Sequence, residues 1–114
     1  FSGIAQPVLV PGDMGTASYV MAGPSSGTNR AFGSSCHGAG RAMSRTEARQ
    51  KIDGAKVKTE LADKGVAIYE TNEKYLSEEA PDAYKNIDDV VKLTEKAGLA
   101  RPVARLKPLI VIKG

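Results

Sequence analysis

The sequence predicts an α+β fold in one domain. Short apolar segments of the strand type alternate with segments whose apolar residues recur every three or four positions. We predict strands near 7–10, 16–22, 66–70 and 103–112, and helices near 42–53, 56–64 and 87–97. A length of 114 residues fits one domain and can bury a real core.

The first third is Gly-rich and nearly uncharged. Residues 1–40 contain one acid, Asp13, one base, Arg30, and eight of the twelve glycines. The apolar run Pro7–Pro11 predicts a buried strand with prolines at its ends. A turn at 12–15 and a β-prone segment at 16–22 then predict a hairpin. This hairpin either directs backbone N–H groups at a ligand or is an ordinary one. We expect a single helical turn at Thr28–Ala31.

The stretch Ser34–Arg41 contains the only histidine, His37, and the only cysteine of the chain. His37 is followed by Gly-Ala-Gly, which leaves the backbone open to close approach by a ligand. Arg41, Arg45 and Arg49 follow at four-residue spacing, which places them on one face if the helix begins at Arg41. An imidazole beside guanidinium groups suits a phosphate. The alternative is a structural histidine beside a solvated helix face.

The helix boundaries follow from capping signals. Ser44 and Glu47 match a capping box, which competes with a helix start at Arg41. We expect this first helix to run to about Ile52 and to stop at Gly54, and a second helix, Val57–Lys64, to be closed by Gly65. Thr71–Pro81 is polar and acidic and predicts a loop with up to one turn of helix.

The clearest helix begins after Asn86, which can cap it. Its predicted inward stripe comprises Ile87, Val90, Val91 and Thr94. On its outer face we predict an i,i+4 pair between Asp88 and Lys92.

The last strand contains the run Leu109–Ile112, which is apolar throughout and predicts burial on both faces. Lys113 follows it directly, either as a solubilising end or as a lysine held near a ligand. The chain starts at Phe1 without an initiator methionine, so we expect a fragment or a processed product.

Composition limits the classes of function. The 41% hydrophobic and 25% charged shares are ordinary for a globular domain, and a net charge of +3 does not by itself indicate a nucleic-acid binder. No apolar run is long enough for a membrane span, so we expect no membrane partner. One cysteine fits a reducing compartment, and we expect a cytoplasmic protein. A zinc site built from this chain's own Cys and His ligands is excluded.

Three motifs closely resemble the RtcB family of RNA-splicing ligases: PGDMGTASY at 11–19, CHGAGRAMSR at 36–45, and the ending VIKG at 111–114. Their order and spacing agree with the family. The resemblance covers the whole of this chain but only the C-terminal part of the family's protein. It implies that residues 1–114 are the C-terminal segment of a larger RNA ligase catalytic domain, with the RtcB-like mixture of short strands and helices and without the upstream metal-binding part.

The resemblance implies a GTP- and manganese-dependent ligase for tRNA splicing and RNA repair. Such an enzyme joins an RNA 3′-phosphate, or a 2′,3′-cyclic phosphate after opening, to a 5′-hydroxyl through a histidine–GMP intermediate. By motif position the catalytic histidine is His37. The implied partners are RNA (tRNA halves and broken RNA ends), GTP, the upstream part of the ligase and an activating partner such as archease. We expect the isolated fragment to be inactive.

The resemblance also assigns site residues. The implied GMP- or GTP-binding set is Pro11, Gly12, Asp13, Met14, Ser18, His37, Gly38, Ala39, Gly40, Tyr84 and Lys113. Arg41 and Arg45 are candidates for RNA or substrate-phosphate binding, whereas Arg49 has no motif support. Many family members have Ser where this chain has Asp13, which leaves the role of that side chain open.

The implied manganese ligands lie in the upstream part, and Cys36 is not at a ligand position, so we expect no metal ligand here. Two other hypotheses remain open: a non-enzymatic nucleotide- or RNA-binding module, and a structural piece that packs on a catalytic domain.

Overall fold

The structure, a computed structural model, describes residues 5–24 and 31–114. It is α+β, as the sequence predicts. In chain order the elements are β1 (Pro7–Pro11), β2 (Ser18–Ala22), α1 (Arg45–Lys51), α2 (Gly54–Asp63), β3 (Ala67–Glu70), α3 (Lys74–Glu78), a 3-10 turn (Pro81–Ala83), α4 (Ile87–Lys96), β4 (Arg101–Leu106) and β5 (Ile110–Lys113). The helical turn predicted at Thr28–Ala31 falls mainly on residues 28–30, which lie outside the described residues. Within the described ranges, no helix has the length and apolar character needed to cross a membrane.

The predicted hairpin is present and belongs to a three-stranded antiparallel sheet of order β1-β2-β4. Because β1 is an edge strand, its terminal residues Pro7 and Pro11 cost little in hydrogen bonding. The prediction that this strand is buried is correct for one face only: Val10 is buried, whereas Leu9 is 73% exposed. One side of the sheet therefore packs on the core and the other is open in this chain.

The helix predicted after Asn86 is confirmed as α4. The Asn86 side chain accepts hydrogen bonds from the backbone N–H groups of Asp88 and Asp89, and the helix ends before Gly98, whose φ is +72°. Ile87, Val91 and Thr94 are buried, while Val90 is only partly so. Ile87 and Val91 pack with residues of the sheet in one apolar cluster, whose other members are Val10, Ala17, Met21, Ala39 and Ala100.

The predicted Asp88–Lys92 pair is not the contact that Asp88 makes. Its carboxylate instead accepts two hydrogen bonds from the Arg105 guanidinium, at 2.9 and 3.1 Å, and one from the Tyr19 hydroxyl at 2.6 Å. The Arg105 hydrogen bonds, followed by the one from Tyr19, lower the pKa of Asp88 to about 2. A bidentate guanidinium on the neighbouring strand is a better partner than a flexible lysine one turn away, and it ties α4 to the sheet.

The helix α1 begins later than predicted. Ser44 Oγ accepts the Glu47 N–H at 3.1 Å and caps α1, so Arg41 precedes the helix. Gly54 was expected to stop α1, but it is the first residue of α2, which Asp53 caps. A Cβ at Gly54 would lie 2.7 Å from the Glu73 carbonyl oxygen, so close backbone packing requires glycine there. Gly65, with φ of +81°, closes α2 as expected.

The strand predicted at 103–112 is two strands, β4 and β5, separated at Lys107–Leu109. Whereas β4 joins the antiparallel sheet, β5 pairs in parallel with β3 in a separate two-stranded sheet. The predicted burial of Leu109–Ile112 on both faces is wrong. Val111 is 9% exposed, but Leu109, Ile110 and Ile112 are 73%, 64% and 80% exposed. This chain covers only one face of the small sheet.

The covered face of the β3–β5 sheet packs on a second apolar cluster. Its buried members are Met14, Val57, Leu61, Val66, Leu76, Ala80 and Val111. Met14 comes from the hairpin turn, so the turn links the sheet-and-α4 core to this second core. The strand β5 and the hairpin turn are thereby brought to the same region of the molecule.

Candidate functional site

A cavity of about 270 Å³ lies between the hairpin turn and strand β5. Its size is near the lower end of small-molecule pockets, which span ~300–1,000 Å³, and suits a fragment such as a base. Seven of the predicted nucleotide-binding residues line it: Pro11, Gly12, Asp13, Met14, Ser18, Tyr84 and Lys113. The remaining lining residues are Glu79, Pro108, Ile110, Val111 and Ile112. Residues far apart in the chain thus meet at one cavity.

The hairpin turn forms one wall of this cavity and depends on Gly12. A Cβ at that position would lie 2.0 Å from the Ala17 carbonyl oxygen and 3.0 Å from Ile87 Cβ. The Gly12 N–H donates to Ser18 Oγ at 3.4 Å. Only glycine lets the turn lie this close to α4, which fixes the position of the cavity wall.

The Asp13 side chain, whose role the sequence left open, is used within the turn. Its Oδ1 accepts the backbone N–H groups of Gly15 and Thr16 at 2.8 and 2.9 Å. This is the local hydrogen bonding that Asp and Ser both favour in turns. An acid at this position is therefore compensated by two backbone donors.

Tyr84 forms the next part of the wall, and Arg41, which does not line the cavity, supports it. The two residues pair through an isolated antiparallel bridge, and the Arg41 guanidinium lies 4.9 Å from the centre of the Tyr84 ring. Arg41 also donates to the Met43 carbonyl, the Glu78 carbonyl, the Glu79 carboxylate and the Tyr84 hydroxyl. With these protein contacts, Arg41 supports Tyr84 from outside the cavity.

Lys113 completes the cavity from strand β5. Its Nζ lies 3.7 Å from Glu79 Oε2, and its side chain is 32% exposed. The Glu79 carboxylate also accepts the Tyr84 hydroxyl. Burial raises the pKa of Glu79, but the Tyr84 hydrogen bond and the positive charges of Lys113, Arg41 and Arg45 outweigh it, so the pKa lies below its ordinary value. Burial, and then the contact with Glu79, raises the pKa of Tyr84.

The loop that carries His37 is attached to the cavity by its backbone. The Ala39 N–H donates to the Pro11 carbonyl at 3.0 Å, and the Gly40 carbonyl accepts the Lys85 N–H at 2.9 Å. Ala39 is buried, and Gly40 has φ of +73°. His37 itself is exposed, and its imidazole makes no hydrogen bond within the described residues. His37, Gly38, Ala39 and Gly40 therefore adjoin the cavity without lining it.

Arg45 and Arg49 face the acids at the end of α3. Arg49 donates to the Glu78 carboxylate at 2.7 Å. Arg45 lies 3.8 Å from Glu79 and 4.0 Å from Glu78, and 65% of its side chain is exposed. The three arginines converge on Glu78 and Glu79 although Arg41 is not helical, and Arg45 is the most exposed of them.

The described part of the chain contains no group of three or more His, Cys, Asp and Glu side chains placed to hold a metal ion. Its residues therefore do not fit a manganese site formed by this chain alone. Cys36 is partly buried and packs against the first apolar cluster.

Sequence reasoning missed Glu79 as a cavity residue. The only local signal was two adjacent acids, Glu78 and Glu79, following Leu76 in a stretch that otherwise predicts a loop. The arginines that donate to their carboxylates lie far away in the chain: Arg49 is 29 positions from Glu78, and Arg41 is 38 positions from Glu79. No local pattern identifies such long-range pairs.

Taken together, the fold and site define an α+β segment with a small cavity of mixed polar and apolar lining, which is hydrogen-bonded through Ala39 to a Gly-rich loop that carries an exposed histidine. The whole chain, residues 1–114, matches the family described as "tRNA-splicing ligase RtcB", and the chain belongs to this RtcB family.

Relatives named tRNA-splicing ligase RtcB match at least 97% of this sequence. The protein of Pyrococcus abyssi is 48% identical over 97% of the chain, and that of Archaeoglobus fulgidus is 50% identical over the same share. The Methanopyrus kandleri protein is 46% identical over the full chain. The chain spans 12%, 23% and 12% of the lengths of these three relatives, respectively.

Proposed function

We propose that this chain supplies the histidine nucleophile and the guanine-binding cavity of a GTP-dependent RNA ligase. One observation carries the proposal: the cavity is lined by residues of two family motifs and is joined to the His37 loop through the Ala39 N–H and the Pro11 carbonyl. A base in the cavity places its phosphates toward a loop whose glycines offer space and backbone donors. The names of the relatives support ligation of RNA, tRNA splicing in particular.

The reaction has three steps. A neutral imidazole nitrogen of His37 attacks the α-phosphorus of GTP; the N–P bond forms as the P–O bond to pyrophosphate breaks. The RNA 3′-phosphate, obtained directly or by opening a 2′,3′-cyclic phosphate, then takes the GMP, which breaks the N–P bond and frees His37. Finally the 5′-hydroxyl of the second RNA attacks the activated 3′-phosphate and expels GMP. Manganese, whose ligands the family resemblance assigns to the upstream part of the ligase, would neutralise phosphate charge when bound.

The Gly-rich loop and the arginines have separate roles in this scheme. Gly38 and Gly40 leave the α-phosphate room to approach the imidazole. The exposed guanidinium of Arg45 binds a phosphate of the RNA end, whereas Arg41 holds Tyr84 in the cavity wall. The RNA substrates are tRNA halves and broken RNA ends in the cytoplasm.

The remaining partner is the upstream part of the ligase. The exposed β3–β5 face, with Tyr69, Ile110 and Ile112 at least 64% exposed, supports this contact, because such apolar patches usually mark an interaction surface. Archease is included as an activating partner on the family resemblance alone. The isolated chain, which lacks a metal site in its described part, is inactive.

The test is to locate the nucleotide. The full-length protein is incubated with manganese and GTP labelled at the α-phosphate, then digested with trypsin at alkaline pH. We expect acid-labile, alkali-stable label on the peptide 31–41, which contains the only histidine of this chain. Label that survives acid or lies elsewhere contradicts the proposal. A protein that binds GTP without forming any adduct is instead a non-enzymatic nucleotide-binding module.

A further inference from the structure

Glu79 is the most heavily contacted side chain of the cavity, although no motif includes it. Its side chain is 18% exposed. Oε2 accepts the Tyr84 hydroxyl and lies 3.7 Å from Lys113 Nζ, while Oε1 lies 3.4 Å from Arg41 and 3.8 Å from Arg45. Four residues from four separate places in the fold are thus held by one carboxylate.

These contacts leave Glu79 little capacity to bind a ligand directly. Both oxygens already face protein donors, and an ionised carboxylate has about four acceptor positions. The lysine is in the opposite situation, because an ammonium has three N–H donors and Glu79 faces only one side of it. The other donors of Lys113 remain available to the cavity.

Holding Lys113 in place matters because a lysine side chain is otherwise among the most flexible. Ordering a free lysine costs up to about 1.5–2 kcal/mol of rotamer entropy. A lysine already fixed by an ion pair avoids part of that cost when a ligand binds. The Tyr84 hydroxyl is fixed by the same carboxylate, and its ring is fixed by Arg41.

We propose that Glu79 is the positioning residue for base recognition, holding the Lys113 ammonium so that the cavity accepts a purine with a carbonyl oxygen at C6. This inference rests on the proposed function. Guanine presents O6 and N7, two acceptors, to a fixed ammonium, whereas adenine presents an amino group in place of O6. Glu79 acts through Lys113 and does not itself bind the 2-amino group of guanine.

The experiment uses Glu79→Gln in the full-length ligase with manganese. Rates of histidine guanylylation are measured against the concentrations of GTP, ITP and ATP. ITP has the O6 and N7 of guanine but lacks its 2-amino group. We expect KM for GTP to rise about tenfold, because a Lys113 ammonium that is no longer held loses one charge-assisted hydrogen bond to the base. The value of kcat should change less than about twofold. KM for ITP should rise by the same factor. The variant should also prefer GTP over ATP less strongly than the wild type does.

A double-mutant cycle tests the route through Lys113. In a Lys113→Ala background, Glu79→Gln should raise KM by less than about twofold, because contacting residues are strongly non-additive. The matched control is Glu78→Gln: this adjacent acid faces Arg49 and does not line the cavity. It should lower Tm and leave the KM values unchanged. If circular dichroism shows that Glu79→Gln is unfolded, Glu79→Asp carries the test, with a smaller KM increase.

Three results overturn the positioning role: an unchanged KM, a loss confined to GTP that spares ITP, or an equal loss with and without Lys113. A loss confined to GTP would show that Glu79 binds the 2-amino group directly. If the wild-type enzyme forms no adduct on His37, the proposed function fails and this inference fails with it. If the wild type is labelled normally, an unaffected Glu79→Gln variant overturns only the role of Glu79.

Discussion

The two sides of the candidate site are held in very different ways. On the cavity side, the Glu79 carboxylate faces Tyr84, Lys113 and two arginines, and its exposed fraction is 18%. On the loop side, only the backbone next to His37 is fixed, and the imidazole is exposed without a hydrogen bond in the described residues.

Under the proposed function, this difference separates nucleotide binding in the cavity from the covalent chemistry at His37. A base-sized cavity formed in advance by this chain loses little freedom when its ligand binds, which favours affinity and selectivity. The His37 imidazole has no hydrogen-bond partner among the described residues to orient it. Substitutions in the cavity should therefore weaken guanylylation partially, whereas loss of His37 should abolish formation of the GMP adduct.

The largest effect should come from His37→Ala in the full-length ligase. We expect no detectable GMP adduct, because no other imidazole exists in this chain to accept the α-phosphate. Equilibrium binding of GTP should persist, since His37 does not line the cavity. Adduct formation is followed with labelled GTP, and GTP binding by calorimetry.

The control for His37→Ala is Cys36→Ser, which changes the preceding, partly buried residue and should keep labelling. A His37→Ala variant labelled as well as wild type would remove the proposed mechanism. A variant that loses adduct and GTP binding together would show instead that the loop and the cavity are one unit.

Lys113→Ala should have the next largest effect. The variant loses the ammonium that Glu79 holds at the cavity, and the expected cost is about 1–3 kcal/mol in GTP use. Preference for GTP over ATP should fall as well. Stability should change little, because the Lys113 side chain is 32% exposed and its one ion pair spans 3.7 Å. The measurement is guanylylation rate against concentration for both nucleotides.

The matched control for Lys113 is Lys107→Ala, an exposed lysine between β4 and β5 that does not line the cavity. It should leave both nucleotide profiles unaltered. Unchanged kinetics in Lys113→Ala would show that this lysine is a solubilising end.

Local patterns in the sequence were sufficient for much of the fold. The hairpin follows from turn residues between two β-prone segments, and α4 follows from the Asn86 cap and its apolar stripe. Both depend on residues within a few positions of one another. The grouping of seven cavity residues followed from the family resemblance, and the structure brings them together.

Long-range contacts explain what the sequence did not predict. Asp88 pairs with Arg105 across 17 positions, and Glu79 pairs with Arg41 across 38. Such pairs depend on the tertiary fold, which no local pattern contains. The prediction that Leu109–Ile112 are buried was wrong for another reason. An apolar run predicts a strand covered on both faces, but the residues that cover it need not belong to the same 114 residues.

Substitutions of Arg45 and Arg41 should have smaller effects, and these should fall on different substrates. Arg45→Ala should weaken binding of an RNA with a 3′-phosphate. The slope of log affinity against log salt concentration should also fall, by the amount expected for the loss of roughly one phosphate contact. Arg41→Ala should instead raise KM for GTP, because Arg41 holds the Tyr84 ring and hydroxyl. Binding of fluorescent RNA is measured between low and high salt for each variant. An unchanged RNA affinity in Arg45→Ala would show that Arg45 does not bind RNA and serves only in its ion pairs with Glu78 and Glu79.

The smallest predicted effect lies away from the cavity, at Asp88. Its pKa is lowered from 3.8 to about 2 by Arg105 first and Tyr19 second, with a further contribution from Lys92. A lowered carboxylate pKa means that the folded state favours the ionised form. Its contribution to stability is therefore complete above about pH 4 and is lost as the pH falls toward 2.

Asp88→Asn should consequently lower the Tm of the ligase most at pH 5. The difference in Tm between variant and wild type should become smaller as the pH drops to 3. The effect should be on the order of 1 kcal/mol or less, since the pair is partly exposed and screened by water. Asp89→Asn is the control, because it lies in the same first turn of α4 without the Arg105 contact. A gap that stays constant across this pH range would show that the ionised carboxylate of Asp88 adds nothing to the attachment of α4 to the sheet.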